Sequence, residues 1–211
     1  MAFAQTTAAP NPSEYPVQVD VTPDREMSPL WGIPVAGFVA RAIAAIPHMV
    51  VLWILNWAIT IWFLIGWIWI LAFGRVPAIA VKLIVEYLHR SSKVAGYVLL
   101  MPGGYPPLEP GLRGPTDLTV NLESLNINRL WGIPFLGFLV RVLIVVPQLI
   151  VLSLLAVGVV LSCFVVWIPI LTSGRYPDWA ARFYGSVLNL GAQVVAYLLF
   201  LPVPYPPFWL N

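Results

Sequence analysis

Four polar residues recur on one face of an otherwise apolar segment: Lys82, Glu86, His89 and Lys93, at steps of 4, 3 and 4. Steps of three and four put side chains on one helix face. One hundred residues later the same positions hold Arg182, Ser186, Asn189 and Gln193, all polar. Inside a bilayer an ionisable group costs at least about 2.5–3.5 kcal/mol, so such groups turn to protein or water. Three arrangements satisfy that rule. The stripe lines a pathway, ligand or partner helix; it forms an internal seam, with Lys82–Glu86 and Glu86–Arg90 as pairs four apart; or it is the wet face of helices lying in the membrane interface.

His48 and His89 are candidate single axial ligands for a haem or other pigment, because neutral imidazole binds such centres. A bis-histidine haem does not fit. His48 opens its helix, whereas His89 lies well inside the next, so their depths would differ by roughly 15–18 Å if both helices spanned. Glu86-Tyr87-Leu88-His89 has the Glu-x-x-His step of di-iron bundles, but the further carboxylates such a site needs are missing from the apolar segments. No metal site is expected. Acid–base catalysis needs paired titratable groups in one pocket, and only Glu86 with His89 qualifies, so no enzyme is expected either. Cys163 has no His or acid near it in sequence and reads as a packing residue.

Arg41 and Arg141 stand at equivalent places, as do Arg75 and Arg175. All four are candidates for lipid headgroups; snorkelling or a cap onto the strand segment is the alternative for Arg41 and Arg141. Trp31, Trp131, Trp67, Trp167 and Trp209 fall near expected helix ends, as in an aromatic belt. The sharper alternative is stacking on a carotenoid, quinone or pigment.

The elements that position these residues follow from the distribution of charge. Of 211 residues, 60% are hydrophobic and 9% charged, and the mean hydropathy is +0.85. Soluble domains carry about 25% charged residues. Disorder, nucleic-acid binding and an ordinary soluble enzyme are excluded, and an integral membrane protein is implied. No Lys, Arg, Asp or Glu lies between Arg41 and Arg75, between Arg141 and Arg175, or from Phe183 onward. Pro47 and Pro147 interrupt the first two blocks and remove a backbone donor. The pattern predicts a short helix over about 34–46, a kink or break at the proline, and a spanning helix over about 48–73, then about 134–146 and 148–173. A re-entrant hairpin is the alternative. Second helices are predicted over Ala78–Met101 and Asp178–Leu201, with Gly74 and Gly174 as left-handed caps and Pro77 and Pro177 in the next first turn. The opening residues 1–14 lack a basic and an apolar stretch, so a flexible tail without a secretory signal is expected.

Shifted by 100 residues, the chain matches itself: Leu30-Trp31-Gly32-Ile33-Pro34 returns as Leu130-Trp131-Gly132-Ile133-Pro134, and Gly74-Arg75 and Tyr105-Pro106-Pro107 return at Gly174-Arg175 and Tyr205-Pro206-Pro207. So many identities in one frame predict a tandem repeat, with units over 15–110 and 111–211. Two spans per unit would make the copies parallel, related by an axis along the membrane normal. Period-two alternation at Val17, Val19, Val21 and at Leu118, Val120, Leu122 predicts short surface strands, with extended linkers as the alternative. Arg25, Arg41, Arg113, Arg129 and Arg141 fall on the strand side, and Arg75, Lys82, Arg175 and Arg182 on the other, a weak lean toward a cytoplasmic N-terminus.

The motifs Tyr15-Pro16-Val17-Gln18-Val19, Ile46-Pro47-His48, Gly174-Arg175-Tyr176-Pro177 and Tyr205-Pro206-Pro207-Phe208, taken in order, resemble a bacterial membrane family known as domain of unknown function 4389. Val76, Gln148 and Leu108 depart from the residues at the matching positions of the other unit. The resemblance implies a helical membrane domain, often in tandem, and no activity, cofactor or catalytic residue. The expected fold is all-α and integral to the bacterial inner membrane, multi-pass, each repeat a proline-broken helix plus a two-helix transmembrane hairpin. The expected role is an accessory or scaffold subunit of a respiratory or photosynthetic membrane complex, in contact with other membrane-protein subunits and lipids but no nucleic acid. The alternatives are a small transporter or channel, or a binder of pigment, quinone or lipid.

Overall fold

The computed structural model describes residues 15–22, 25–33, 35–107, 114–134 and 136–207. The tail 1–14, Arg113 and Trp209 lie outside the described residues, and so do the expectations placed on them. In chain order the elements are β1 (Val17–Val21), α1 (Ala36–Ala44), α2 (Ile46–Phe73), α3 (Ala78–Val98), β2 (Thr116–Val120), α4 (Leu136–Ser173) and α5 (Asp178–Leu198). Single 3₁₀ turns at Pro29–Gly32 and Arg129–Gly132 lead into α1 and α4.

The alternating segments are strands rather than linkers. β1 and β2 pair antiparallel, with Gln18 opposite Thr119 and Asp20 opposite Asp117. Val17, Val19, Thr116 and Leu118 turn inward and are buried, while Asp20 and Asp117 are exposed. That is the burial expected of a pleat with one dry face.

α2 and α4 are long and apolar enough to cross a membrane; among the described residues no other helix is. Only 17% of the most apolar stretch of α2 and 6% of that of α4 is buried. The expected two-helix transmembrane hairpins are corrected accordingly. α3 carries Lys82, Glu86, Arg90 and Lys93, and α5 carries Arg182, Ser186, Asn189 and Gln193, which leaves neither with an apolar stretch of spanning length.

The expected proline break also needs correction. In the first half the helices part at Ala45, one residue before α2 begins, and Ala45 itself keeps near-helical angles. In the second half α4 runs unbroken through Pro147. A proline removes one bond and pushes back the carbonyl four residues earlier, opening that turn. Tyrosine hydroxyls supply donors there: Tyr105 Oη donates to Ala44 O and Tyr205 Oη to Ile144 O, each at 3.1 Å. These tyrosines belong to the Tyr-Pro-Pro segments that recur one hundred residues apart.

α3 and α5 lie side by side and run in opposite senses. The end of α3 meets the start of α5, where Tyr176 Oη donates to Leu99 O at 3.0 Å. Leu100 and Met101 pack there with Ala180, Ala181 and Tyr184, and midway Ile84 and Leu88 share a cluster with Leu190 and Val194. β1 runs along α5: Gln193, Asn189 and Gly185 meet Val17, Val19 and Val21 in turn. β2 lies on α3. The segments after the strands cross to the opposite half. Met27 N donates to Gly174 O and Tyr176 N to Arg25 O, and one hundred residues apart Ile127 N donates to Gly74 O and Val76 N to Leu125 O, all at 2.9 Å.

Gly74 and Gly174 take φ +64° after their helices, as the predicted left-handed caps require. Gly32 and Gly132 serve a different need, close approach. A Cβ at Gly32 would stand 2.5 Å from Leu171 N, and one at Gly132 would meet Leu71 N and lie 2.8 Å from Leu71 Cα. These contacts let each 3₁₀ turn dock on the long helix of the other half. Gly132→Ala is expected to destabilise the fold by about 1–3 kcal/mol, the usual cost of overpacking. Gly191→Ala, in α5 where an added Cβ meets nothing within 4 Å, is the control. Thermal unfolding in detergent should show the midpoint lowered for the first and unchanged or raised for the second.

Candidate functional site

The predicted polar stripe lies at the rim of the two-stranded sheet. Antiparallel pairing leaves alternate backbone groups of each strand pointing away from the partner strand. On β1 those groups meet α5: Gln193 Nε2 donates to Val17 O at 3.1 Å, and Asn189 Oδ1 accepts from Val19 N at 3.1 Å. Gln193 also donates to Asn189 Oδ1 at 3.3 Å. The two amides therefore clamp the strand edge with neutral hydrogen bonds. Ser186 is half-buried on the same helix, and Arg182 is exposed near its start.

On α3 the matching positions are ionisable. Lys93 is 4% exposed and its stem packs on Gly114, just before β2. His89 Nε2 comes within 3.1 Å of Asp117 Oδ1 but off the line of a hydrogen bond, so the contact is electrostatic. Glu86 accepts from Arg90 Nε, four residues on. The structure thus unites Glu86, His89 and Lys93 with Asp117 and Arg90, and leaves Lys82 exposed near the start of α3. Burial holds the His89 imidazole below its ordinary value; the Lys93 ammonium pushes the same way, against Asp117 and Glu86. Lys93 is lowered too, by burial first. The balance favours the uncharged imidazole.

Arg41 and Arg141 are corrected from lipid ligands to internal caps. Each is 3% exposed. Arg41 Nη1 donates to Tyr97 O and Met101 O, both at 3.0 Å, at the end of α3. Arg141 Nη1 donates to Tyr197 O at the end of α5. Last-turn carbonyls carry the negative pole of a helix and lack partners within it. Aromatic faces complete each cage: Trp31 and Tyr97 lie 4.8 and 4.7 Å from the Arg41 guanidinium, and Trp131, Tyr197 and Phe200 lie 4.7, 4.6 and 4.8 Å from that of Arg141. Trp31 and Trp131 are thereby engaged inside the protein. Arg75 and Arg175 stay exposed at the two turns.

His48 is 3% exposed, with Nδ1 3.0 Å from Tyr105 Oη and the Pro106 carbonyl as the ring's second neighbour. Gln148 takes the same place in the second half, accepting from Tyr205 Oη and donating to Pro206 O at 3.1 Å. The expected division of basic residues between two sides is also corrected. Arg25 pairs with Asp178 at 2.9 Å, and the Arg129 stem packs on Gly74, so residues assigned to the strand side sit at the turns.

Asp117 and the tyrosines Tyr105 and Tyr205 were missed from sequence. The tyrosines carried one signal, their recurrence at a fixed distance after Pro47 and Pro147.

The family model described as Domain of unknown function (DUF4389) matches residues 136–210, which hold α4, α5 and the second Tyr-Pro-Pro segment. The expected resemblance therefore stands over that stretch. No curated protein and no solved structure matches the chain.

Because the His89 value is lower in the folded state than in the unfolded one, its contribution to stability is complete above about pH 6.5 and is lost as pH falls through that value toward the folded one. Thermal midpoints measured from about pH 7.5 to about 5.5 should fall more steeply for the wild type than for His89→Asn, which installs the residue found at 189. Equal slopes would mean that the imidazole is not held neutral.

Proposed function

We propose that this chain is an integral membrane protein made of two copies of one unit, residues 15–110 and 111–211, and that it acts as a non-catalytic accessory or scaffold subunit of a larger bacterial membrane assembly, respiratory or photosynthetic. Its partners are other membrane-protein subunits and lipids, in the inner cell membrane. The observation that carries this reading is the bare apolar surface of α2 and α4. Trp53, Trp57, Leu64, Leu154, Leu161 and Phe164 are each more than half exposed. Contiguous apolar surface on this scale is foreign to a monomer in water and marks contact with lipid or another protein. Recurrence of the crossing bonds one hundred residues apart supports the two-copy reading.

The accessory role draws support from how the polar groups are used. Asn189 and Gln193 are spent on the strand edge, and Arg41 and Arg141 on helix ends. A transporter or channel would want those groups facing a path. The buried imidazole of His48 carries the rival reading, a pigment binder. Visible absorption bands in the purified protein, lost in His48→Ala, would establish that rival.

The protein should stay with the membrane pellet through an alkaline carbonate wash, and in mild detergent it should run well above its own 23.4 kDa with a defined partner. Release by carbonate would reject the membrane reading. A stable monomer with no co-purifying protein would reject the scaffold role.

A further inference from the structure

The placement of the sheet decides how the molecule sits in a bilayer. β1 lies on α5 between Gly185 and Gln193, the middle of that helix, and Asp117 of β2 meets His89, near the middle of α3. Each helix has 21 residues, about 31 Å, close to the thickness of a hydrocarbon core. Were α3 and α5 upright, the sheet would stand at mid-membrane. Its outer face carries Asp20 opposite Asp117, both exposed. Each carboxylate would cost at least about 2.5–3.5 kcal/mol there.

We infer that α3 and α5 lie flat in the headgroup region of a single leaflet, with the sheet toward water and the outer faces of α2 and α4 among the acyl chains. This rests on the membrane reading above and adds its geometry. The antiparallel run of α3 and α5 puts the axis relating the two halves at right angles to them, so the axis points along the membrane normal. The two ends of the molecule then lie at one depth. Exposed cations gather at those ends: Arg75, Lys82 and Arg129 at one, Arg175 and Arg182 at the other. They stand at a common level, and with the exposed acids Glu26 and Asp178 beside Arg175 they give each end a polar, charged rim suited to the headgroup layer of one leaflet. α2 and α4, packed along α3 and α5, follow the plane rather than crossing it.

Single cysteines at Arg75, Arg175 and Asp20, placed in a Cys163→Ala background, test this with a membrane-impermeant maleimide on right-side-out and inverted vesicles from the expression host. The expected result is that all three are labelled from the same side, with complete loss of labelling from the other. Arg75→Cys and Arg175→Cys labelled from opposite sides would mean upright copies of inverted sense. Asp20→Cys labelled from the side opposite the other two would mean upright hairpins of one sense. Either outcome overturns the flat placement and leaves the membrane reading intact. Recovery of the protein in the soluble fraction would overturn both. If Asp20→Cys does not accumulate, Asn121→Cys, exposed just beyond β2, reads the same face.

Discussion

The fold turns on two buried guanidiniums that meet no carboxylate among the described residues. A charge removed from water needs compensation close at hand. Arg41 and Arg141 find it in helix-end carbonyls and aromatic faces. The helix ends need them equally. After α3 and α5 the chain enters the left-handed region at Leu100 and Phe200, residues that carry a Cβ and pay about 1–2 kcal/mol there. Burial of those side chains, fully for Leu100, offsets the strain. The buried carbonyls beside them would be costly if left bare. Trp31, against the Arg41 guanidinium, belongs to the 3₁₀ turn whose Gly32 docks on α4. One arginine thus links α1, the end of α3 and the long helix of the other half.

That linkage explains the two strand clamps. Once the crossing segments are fixed, β1 must run over α5 and β2 over α3, and the free edge of each strand meets the same helix positions. α5 answers with neutral amides, which satisfy backbone groups at any pH. α3 answers with an imidazole and an ammonium beside a carboxylate, whose charge state depends on pH and burial. Geometry is repeated while chemistry is not. The stretch matching the family model contains the α5 amides, but not the ionisable set of α3.

Much of this was legible before any coordinates. Glycine followed by Arg and a nearby proline gave the caps at Gly74 and Gly174 and the starts of α3 and α5 to within a residue, because left-handed geometry and a missing donor are local constraints. Alternation located β1 and β2 because a pleat with one buried face imposes a period of two. The break at Pro147 was misread because a proline inside a helix removes one bond without by itself ending the helix, and the opened turn takes a hydroxyl from a tyrosine about sixty residues away in sequence. Arg41 and Arg141 were misplaced for a similar reason. An arginine next to an apolar block snorkels or caps according to which helix end lies beside it, and that is a tertiary fact.

The sequence period and the folding unit are different things in this molecule. A cut near residue 110 separates the repeats on paper, yet it would strip β1 from α5, the Pro29–Gly32 turn from α4, and Tyr176 from the end of α3. Each half would be left with a strand whose partner strand and supporting helix belong to the other. Val17, Val19, Leu118 and Leu190 form one buried cluster only when both halves are present. Small units below roughly 100 residues already bury a smaller share of their surface, and here each would lose the shared part as well. The two halves of the chain therefore share a single core, in which the crossing segments fix the opposite sense of α3 and α5 and, with it, a sheet on one face and bare apolar helices elsewhere.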